Sequence, residues 1–522
     1  MIRSPHARWW AMGATATTML VVGLDMTVLN VALPTIAVDL HASSSQLQWF
    51  VDAYTLVMSA MLLPAGMLGD RFGRKRLTLA SLAVFGIGSL WCAYAGSPAS
   101  LIAARALLGL GSAVLIPLAM SAAVVLFEPE ERPRAVMILG LSTMVGLPLG
   151  PILAGVLLQH FWWGSVFLIN VPVVAFAIAA VILCMPETRG ERDRPIDWAG
   201  VVASGVGLLG VTYGVIEGPE RGWTSAGTLV PLIGGAVVLA AFLVWERVQR
   251  RAVPVFDYAV WADPTFRWGA LGATVASLAM FGLMFVTPQY FHAVLGSDAL
   301  GTGLRTLPMV AGLLVGMRGT MLLVRRVPAR TLATTGFALT AVGLGVGATT
   351  EIGSSFTRCA LWTAMVGLGF GMALFAAQNE ALMTLPRPRA ASGSALIQAL
   401  RQTGSVLGIA VLGAILNGAY RSRVGDLAVP AHAHATVTDS PQAGITVAER
   451  LGDPGLVHGV QAAFVHGMDA TLWVSAAVAL VGALAMWWRL PGGVLTATAH
   501  EPARDAAESG HAVVTTDSPA RV

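Results

Sequence analysis

Long apolar runs dominate this sequence and leave few folds open to it. Windows of roughly 20 apolar residues recur about fourteen times between short polar turns, and each is long enough to cross a bilayer as an α-helix. Hydrophobic residues make up 56% of the 522 positions and charged residues only 11%, which is far from the balance of a soluble domain. We therefore predict an all-α integral membrane protein, with the last crossing at residues 469–490.

Basic residues in alternate loops predict the orientation of these crossings. A cluster from Arg71 to Arg76 and a pair at Arg132 and Arg134 alternate with short loops that carry almost no cations. Because basic loops remain on the cytoplasmic side, both termini are expected in the cytoplasm, and the number of crossings is expected to be even. We expect a multi-pass protein of a bacterial plasma membrane.

The charge pattern also narrows the partners. The formal net charge is +4, but the cations lie in short loops and form no continuous basic face of the kind that binds nucleic acid. The three cysteines, Cys92, Cys184 and Cys359, fall in apolar segments without metal-ligand spacing, so they are interpreted as core residues. We predict no nucleic-acid partner, no metal and no organic cofactor, and we expect a monomer in the lipid bilayer.

Two longer polar segments interrupt the apolar pattern. Residues 420–468 are rich in small and polar side chains, and the predicted orientation makes them an external loop. His432 and His434 lie in this segment, but a solvated loop is a better interpretation than a metal site. Residues 491–522 have the composition of a disordered cytoplasmic tail.

One carboxylate needs an explanation because it lies well inside the first apolar run, Trp9–Pro34. Asp25 is that residue, and an acid at such depth normally faces a wet cavity, a cationic partner or both. From the helical rise, Arg105 lies roughly 8 Å and Asp25 roughly 13 Å inside the same end of their predicted helices, so the two could meet. Burial disfavours the charged acid and a cation favours it, so a change of surroundings would move a proton on or off.

Two glycine-rich stretches carry further information. In the first, the glycines allow a tight turn and close helix approach, while an acid and several cations form an ion-pairing lattice at the predicted cytoplasmic surface. Its residues are Gly66, Gly69, Asp70, Arg71, Gly73, Arg74 and Lys75. In the second, small residues at four-residue spacing and a proline predict a bent, tightly packed helix. Its residues are Gly146, Gly150, Pro151 and Gly155.

These stretches resemble signatures of the major facilitator superfamily. The segment 66–76 resembles its motif A, Leu101–Arg105 its motif B, and Gly146–Gly155 its antiporter motif C, with Ala154 in place of a usual glycine. The segments 24–34 and 167–172 resemble those of drug:proton antiporters with fourteen transmembrane helices. The arginine that usually precedes the latter segment is missing from Trp162-Trp163-Gly164.

The resemblance implies a major facilitator fold of two six-helix bundles, residues 1–190 and 256–490, with an extra pair of transmembrane helices in 191–255. It implies that Asp25 carries protons and that Arg105 couples to it. It also implies that motif A forms a cytoplasmic gate, in which Asp70 approaches the start of the thirteenth predicted crossing, residues 393–419, and the cations pair with Glu128 or Glu131. The implied function is proton-coupled export of hydrophobic or amphipathic drugs or antibiotics, which confers resistance.

Other polar residues inside the apolar runs are candidates to line a cavity or a gate. They are Asn30, Tyr54, Glu380 and Arg401. Glu380 and Arg401 could form either a gate across the inner mouth or a structural ion pair. Asp52, near the start of the second predicted crossing, could line the outer vestibule, but an exposed helix-start acid favoured by the helix dipole is the preferred interpretation.

Three other functions are weighed against export. A facilitator that imports or exports a specific metabolite, such as a sugar, an amino acid or a siderophore, shares the fold and is disfavoured mainly by motif C. An integral membrane enzyme is disfavoured because the sequence has no HExxH and no well-placed GxSxG. A sensor or scaffold without transport would not require an acid and an arginine at matching depth.

Overall fold

The computed structural model describes residues 5–127, 131–185, 187, 197–249, 256, 258–324, 326–385, 390–427, 429–430 and 433–492. Over these residues the chain forms helices and turns and no strand. The helices are α1 (Pro5–Asp39), α2 (Ser44–Phe72), α3 (Arg74–Ala93), α4 (Pro98–Leu126), α5 (Arg132–His160), α6 (Ser165–Leu168), α7 (Asn170–Cys184), α8 (Trp198–Arg221), α9 (Ala226–Val248), α10 (Tyr258–Trp261), α11 (Pro264–Ala293), α12 (Ala299–Leu323), α13 (Ala329–Gly347), α14 (Phe356–Met383), α15 (Ala390–Val424), α16 (His434–Asp439), α17 (Pro441–Arg450) and α18 (Pro454–Arg489).

The long helices confirm the predicted all-α membrane fold with about fourteen crossings. Within the described ranges, eleven spans have the length and apolar composition to cross a membrane, with α6 and α7 together forming one of them. The other three long helices are α2, α5 and α13, which contain 29, 29 and 19 residues. At ~1.5 Å per residue even the shortest of these covers roughly 28 Å, close to the thickness of the hydrocarbon layer.

The crossings pack as two groups and a pair. Helices α1–α7 contact mainly one another and form the first helix group, and α11–α18 form the second helix group. The extra pair, α8 and α9, packs closely because Gly207 and Gly235 bring the two backbones together, as small residues do in membranes. The two groups meet where α2 contacts α15, α5 contacts α12 and α1 contacts α11. The predicted limits at 190 and 255, and nearly all of the tail, fall outside the described residues and stay predictions.

The two ends of the bundle are named here by residues that lie there. The Gly73 end holds the turn between α2 and α3, and the His160 end holds the C-terminus of α5. Gly73 has a φ of 103°, a backbone conformation that favours glycine, so one helix stops and the next begins within a single residue. The loop cations predict that the Gly73 end is cytoplasmic, and this orientation stays a prediction.

Residues 420–468 differ from the solvated loop that their composition predicted. Helix α15 continues to Val424, two short helices follow, and α18 starts at Pro454 rather than near residue 469. Asp453 caps α18 by accepting a hydrogen bond from the Leu456 N–H, a start signal that small polar neighbours obscured. The short helices dock on the bundle through a hydrogen bond of 2.5 Å from the Tyr420 hydroxyl to the Val437 carbonyl. Tertiary contacts therefore order a segment that lacks an apolar run of its own.

Candidate functional site

Asp25 and Arg105 form a buried ion pair in the first helix group. The Arg105 Nη1 atom lies 2.8 Å from the Asp25 Oδ2 atom, and the two side chains are 2% and 0% exposed. Asp25 comes from α1 and Arg105 from α4, so the pair joins two helices that are distant in sequence. Their similar depth in the sequence allowed such a meeting, and in the structure the two side chains are in contact.

A second set of contacts fixes Arg105 against α2. Its Nε atom donates a hydrogen bond of 2.8 Å to the Phe50 carbonyl, and its guanidinium carbon lies 4.4 Å from the centre of the Tyr54 ring. This is a cation–π geometry, which is stronger when both groups are desolvated. The Tyr54 hydroxyl in turn donates a 2.9 Å hydrogen bond to the Ser112 Oγ atom. Tyr54, a candidate for the cavity or the gate, therefore packs its ring against the guanidinium of Arg105.

The other oxygen of Asp25 faces α7. The Asn170 Nδ2 atom lies 3.4 Å from the Asp25 Oδ1 atom and also 3.4 Å from the Ser89 Oγ atom. Asn170 begins α7 directly after the break that follows α6. Sequence reasoning assigned it no role, although an amide at a helix break inside an apolar run was the available signal.

The ion pair is closed in this conformation. Asp25 and Arg105 are 0% and 1% exposed as whole residues, so the wet cavity expected beside Asp25 does not reach it here. Ionised, the two groups neutralise each other; protonation of Asp25 would leave Arg105 as an unpaired buried cation, which is costly. Because Phe50 and Tyr54 hold Arg105 against α2, that cost would act between α1 and the helices α2 and α4.

Helix α5 packs its motif C glycines against the helix that carries Asp25. A Cβ atom on Gly146 would lie 2.8 Å from the Leu20 carbonyl oxygen, and one on Gly150 would overlap the Thr27 Oγ1 atom. Real Cβ atoms do not approach other atoms this closely, so the two positions require glycine. The contact fixes the backbone of α1 on both sides of Asp25.

The other end of motif C contacts the second helix group. A Cβ atom on Gly155 would lie 2.7 Å from the Leu300 Cα atom, and one on Gly303 would overlap the Pro151 carbonyl oxygen. Helix α5 therefore touches both the Asp25 helix and α12. These contacts lie toward the His160 end of the bundle.

Motif A is described only in part. Gly66, Gly69, Asp70 and Arg71 lie in helix α2, but their side-chain surroundings, like those of Glu128, fall outside the described residues. The predicted approach of Asp70 to the start of the thirteenth predicted crossing, which lies in α15, therefore stays a prediction.

The described residues of motif A have a partner that sequence reasoning did not assign. The Lys75 backbone N–H donates a 3.3 Å hydrogen bond to the Glu187 Oε1 atom, and the Arg76 Nε atom lies 3.6 Å from the Glu187 Oε2 atom. Glu131, expected near these cations, instead pairs with Arg8 at 2.8 Å. Glu187 follows α7, so it ties the turn at Gly73 to the end of the first helix group; Arg74 also lies at this turn.

Three of the remaining candidates lie apart from the Asp25 pair. The Asn30 Nδ2 atom donates a 3.4 Å hydrogen bond to the Met26 carbonyl of its own helix. The Arg401 Nη1 atom donates to the Gln398 Oε1 atom at 3.2 Å. Glu380 is buried and its Oε2 atom has no hydrogen-bond partner, and no ion pair of the described chain joins it to Arg401. The structural ion pair between these two residues is therefore absent from this conformation.

Asp52 corrects another expectation. It is 0% exposed, and neither of its carboxylate oxygens has a hydrogen-bond partner among the described residues, whereas a helix-start acid was expected at the surface. The reason is that α2 begins at Ser44 and presses its first turns against other helices, so that Ser44 donates a 2.9 Å hydrogen bond to the Asp439 carbonyl.

Comparison with known families identifies the family of this chain. The sequence profile described as Major Facilitator Superfamily matches residues 15–409, which is more than half of the chain and includes Asp25, Arg105 and the α5 contacts. The chain belongs to the major facilitator superfamily.

The chain is also similar to individual transport and resistance proteins. The chain is 32% identical to the multidrug efflux pump LfrA of Mycolicibacterium smegmatis over 81% of this chain and 83% of that protein. It is 30% identical to the methyl viologen resistance protein SmvA of Salmonella typhimurium over 92% of this chain and 98% of that protein. A bacterial homologue of the human lysosomal transporter Spinster, solved inward-facing and occupied, superposes with a TM-score of 0.65 at 17% identity, covering 93% of this chain and 97% of that one.

Major facilitator proteins are membrane transporters of small molecules rather than enzymes. Within the described ranges, no group of three or more His, Cys, Asp or Glu side chains is placed to hold a metal ion.

Proposed function

We propose that this chain is a proton-coupled exporter of hydrophobic or amphipathic small molecules, such as drugs or antibiotics, across a bacterial plasma membrane. The observation that carries the proposal is the Asp25–Arg105 ion pair, which is fully buried in the first helix group. Acidic residues inside the membrane that pair with a cationic side chain are typical of proton relays in transporters. The similarity to LfrA, named as a multidrug efflux pump, supports export.

The coupling follows from charge. Protonation of Asp25 removes the anion that Arg105 faces, while the Phe50 carbonyl and the Tyr54 ring continue to hold Arg105 against α2. The conformation with the closed pair is then less favourable, and α1 moves relative to α2 and α4. Deprotonation restores the pair, so the proton and the conformation are linked.

Helix α5 would transmit this change to the second helix group. Gly146 and Gly150 pack on α1, whereas Gly155 packs on α12, so a shift of α1 reaches the contact between the groups. Alternating access requires the two groups to rock about such a contact. The motif A turn, tied to Glu187, is the candidate gate at the opposite end.

The test is uptake of a fluorescent hydrophobic dye into everted membrane vesicles under an imposed pH gradient with an acidic lumen, because an exporter moves the dye from the exposed cytoplasmic face into such a vesicle. Asp25→Asn keeps the shape of the side chain but neither ionises nor carries a proton, so gradient-driven dye movement is expected to stop. Asp39→Asn is the matched control because Asp39 ends the same helix and is exposed. Normal gradient-driven efflux by an Asp25→Asn protein that is present at the wild-type level would contradict the proposal.

The alternative is import or export of a specific metabolite. Right-side-out vesicles distinguish it, because an importer accumulates its substrate inward under the physiological gradient. Accumulation of a sugar, an amino acid or a siderophore, without movement of hydrophobic dyes, would favour that alternative.

A further inference from the structure

Arg401 holds an unneutralised charge inside the second helix group. Its Nε atom lies 3.4 Å from the Ser277 Oγ atom, and its Nη1 atom lies 3.2 Å from the Gln398 Oε1 atom and 3.5 Å from the Gln378 Oε1 atom. All three acceptors are neutral. No acid of the described chain forms an ion pair with Arg401, whereas Arg105 pairs with Asp25.

The position of Arg401 is deep and central. It lies in α15, roughly 17 Å along the helix from Ala390, and its partners come from α11 and α14 as well as from α15. The next residue, Gln402, reaches the Met58 Sδ atom of the first helix group at 4.0 Å. Arg401 is half-buried, so α11, α14 and α15 do not enclose the residue completely.

Glu380 is the acid nearest in sequence to these partners, and the helix geometry keeps it away. It lies two residues after Gln378 in α14, and residues two apart on a helix do not share a face. Its Oε2 atom is buried without a hydrogen-bond partner, so the acid is not held by Arg401. The arginine therefore lacks a counter-charge on both of the helices that flank it.

An arginine that has only neutral partners inside a membrane protein can be neutralised by an anionic ligand. The guanidinium stays charged at physiological pH, and a cation inside a membrane protein is costly unless an anion pairs with it. Neutral oxygens at 3.2–3.5 Å satisfy N–H groups weakly, because good hydrogen bonds of this type are shorter. A planar carboxylate or a sulfonate would bind the guanidinium at shorter distance and through two N–H groups. The glutamine amides could then turn their NH₂ groups toward the same anion.

We propose that Arg401 binds the negatively charged group of the transported molecule, so that hydrophobic acids or zwitterions are among the preferred substrates. This inference rests on the proposed export function, and it assigns the second helix group a part in substrate binding while the first group handles the proton. A lipid headgroup is a poor occupant because it remains at the membrane surface, more than two helical turns from Arg401.

Three matched probes test the charge preference. They share a dansyl group and an undecyl chain and end in a carboxylate, a methyl ester or a trimethylammonium group. Fluorescence titration of the purified full-length protein at neutral pH should show that the carboxylate binds about tenfold more tightly than the ester, as expected for one charge-assisted hydrogen-bonded pair. The ammonium probe should bind less tightly than the ester.

Variants then locate the preference. Arg401→Gln should weaken carboxylate binding by about tenfold and leave ester binding unchanged, while Arg401→Lys should retain part of the preference because the charge remains. Arg318→Gln is the matched control, because Arg318 is an exposed arginine on α12 whose Nη1 atom donates a 3.6 Å hydrogen bond to the Met321 Sδ atom. Equal binding of carboxylate and ester by the wild type, or equal loss of both in Arg401→Gln, would overturn the proposal. If Arg401→Gln does not fold, the wild-type comparison alone decides.

Transport separates this inference from the proposed function. In proteoliposomes with a pH gradient, export of the ester without a preference for the carboxylate overturns the Arg401 proposal and leaves proton-coupled export standing. Carboxylate-selective binding without gradient-driven export of any probe overturns the export function and leaves the anion site standing.

Discussion

Each helix group holds an arginine in its interior, fully buried Arg105 in the first group and half-buried Arg401 in the second, and the surroundings of the two differ. Arg105 in the first group has an ion pair and a backbone hydrogen bond, both at 2.8 Å, and an aromatic ring against its face. Arg401 in the second group has three neutral acceptors at 3.2–3.5 Å. The protein neutralises the charge of Arg105 with an acid, whereas none of the three hydrogen-bond acceptors of Arg401 carries a charge.

The difference separates two requirements of a coupled transporter. A proton carrier needs a partner that is fixed, because the change in protonation must be converted into movement of a helix. A substrate site needs incompletely satisfied groups, because interactions already made within the protein cannot be offered to a ligand. If both proposals hold, the same residue type would serve both purposes, and only its surroundings would differ.

Removal of one member of the first pair should have the largest effect. Asp25→Ala leaves Arg105 buried without an anion, and breaking such a pair is expected to lower the free energy of unfolding by about 3–5 kcal/mol. The double variant Asp25→Ala with Arg105→Leu removes both charges and should recover much of that loss. Thermal unfolding of the four proteins in the same detergent measures the coupling.

This cycle can break the comparison. If Asp25→Ala and Arg105→Leu are each mild and simply additive, the pair does not constrain the first group. Arg105 would then differ little from Arg401, and the division of roles between the groups would have no physical basis.

Much of the fold follows from sequence because a bilayer leaves a chain few choices. Apolar runs of membrane length predict the helices, and most predicted crossings overlap the observed ones. The failure at α18 is informative, since its first turns from Pro454 extend beyond the apolar run and are ordered by packing. Hydropathy detects only the part of a helix that contacts lipid or core.

The part of the site that sequence could indicate is the pair of charged residues at similar depth in their predicted helices. Asp25 and Arg105 lie at similar depth, and their cost in hydrocarbon made a meeting the simplest solution. Asn170 and Glu187 were not predicted as partners, because the contacts that place them are long-range; an amide inside an apolar run was a local signal for Asn170, but it did not say which acid the amide would contact. Asp52 was expected at the surface because its local pattern fitted an exposed helix start. Packing of α2 against other helices buries it instead.

A glycine that fixes the Asp25 helix should have the next largest effect. Gly150→Val places side-chain atoms where Thr27 and the Leu24 carbonyl lie, and overpacking of this kind costs about 1–3 kcal/mol. Gly13→Val is the matched control in α1, because a Cβ atom there meets no other atom within 4 Å. Lower thermal stability and slower dye efflux in Gly150→Val than in Gly13→Val would show that the first group needs a fixed α1, and equal behaviour would contradict it.

Neutralisation of Arg401 should affect stability less than either change. Arg401→Gln removes a charge that no described acid compensates, so the loss of weak hydrogen bonds is offset by the loss of a desolvation cost, and a change within about 1 kcal/mol of zero is expected. Arg105→Gln, measured beside it, should be clearly more destabilising because Asp25 loses its cation. A large destabilisation by Arg401→Gln would show that Arg401 is a structural residue and would remove the contrast between the groups.

The smallest effect is expected for a pair with the same distance but different surroundings. Arg8 and Glu131 also lie 2.8 Å apart, yet their side chains are 24% and 33% exposed, so water screens the attraction. Exposed pairs of this kind contribute about 0–1 kcal/mol and weaken with salt. Arg8→Gln should therefore lower the unfolding temperature slightly at low ionic strength and not at high ionic strength. The effect of Arg105→Gln should be nearly independent of salt, because ions do not reach a fully buried pair. Equal salt dependence for both variants would mean that solvent enters the Asp25 site, and burial would no longer distinguish Arg105, the partner of Asp25, from the exposed arginines.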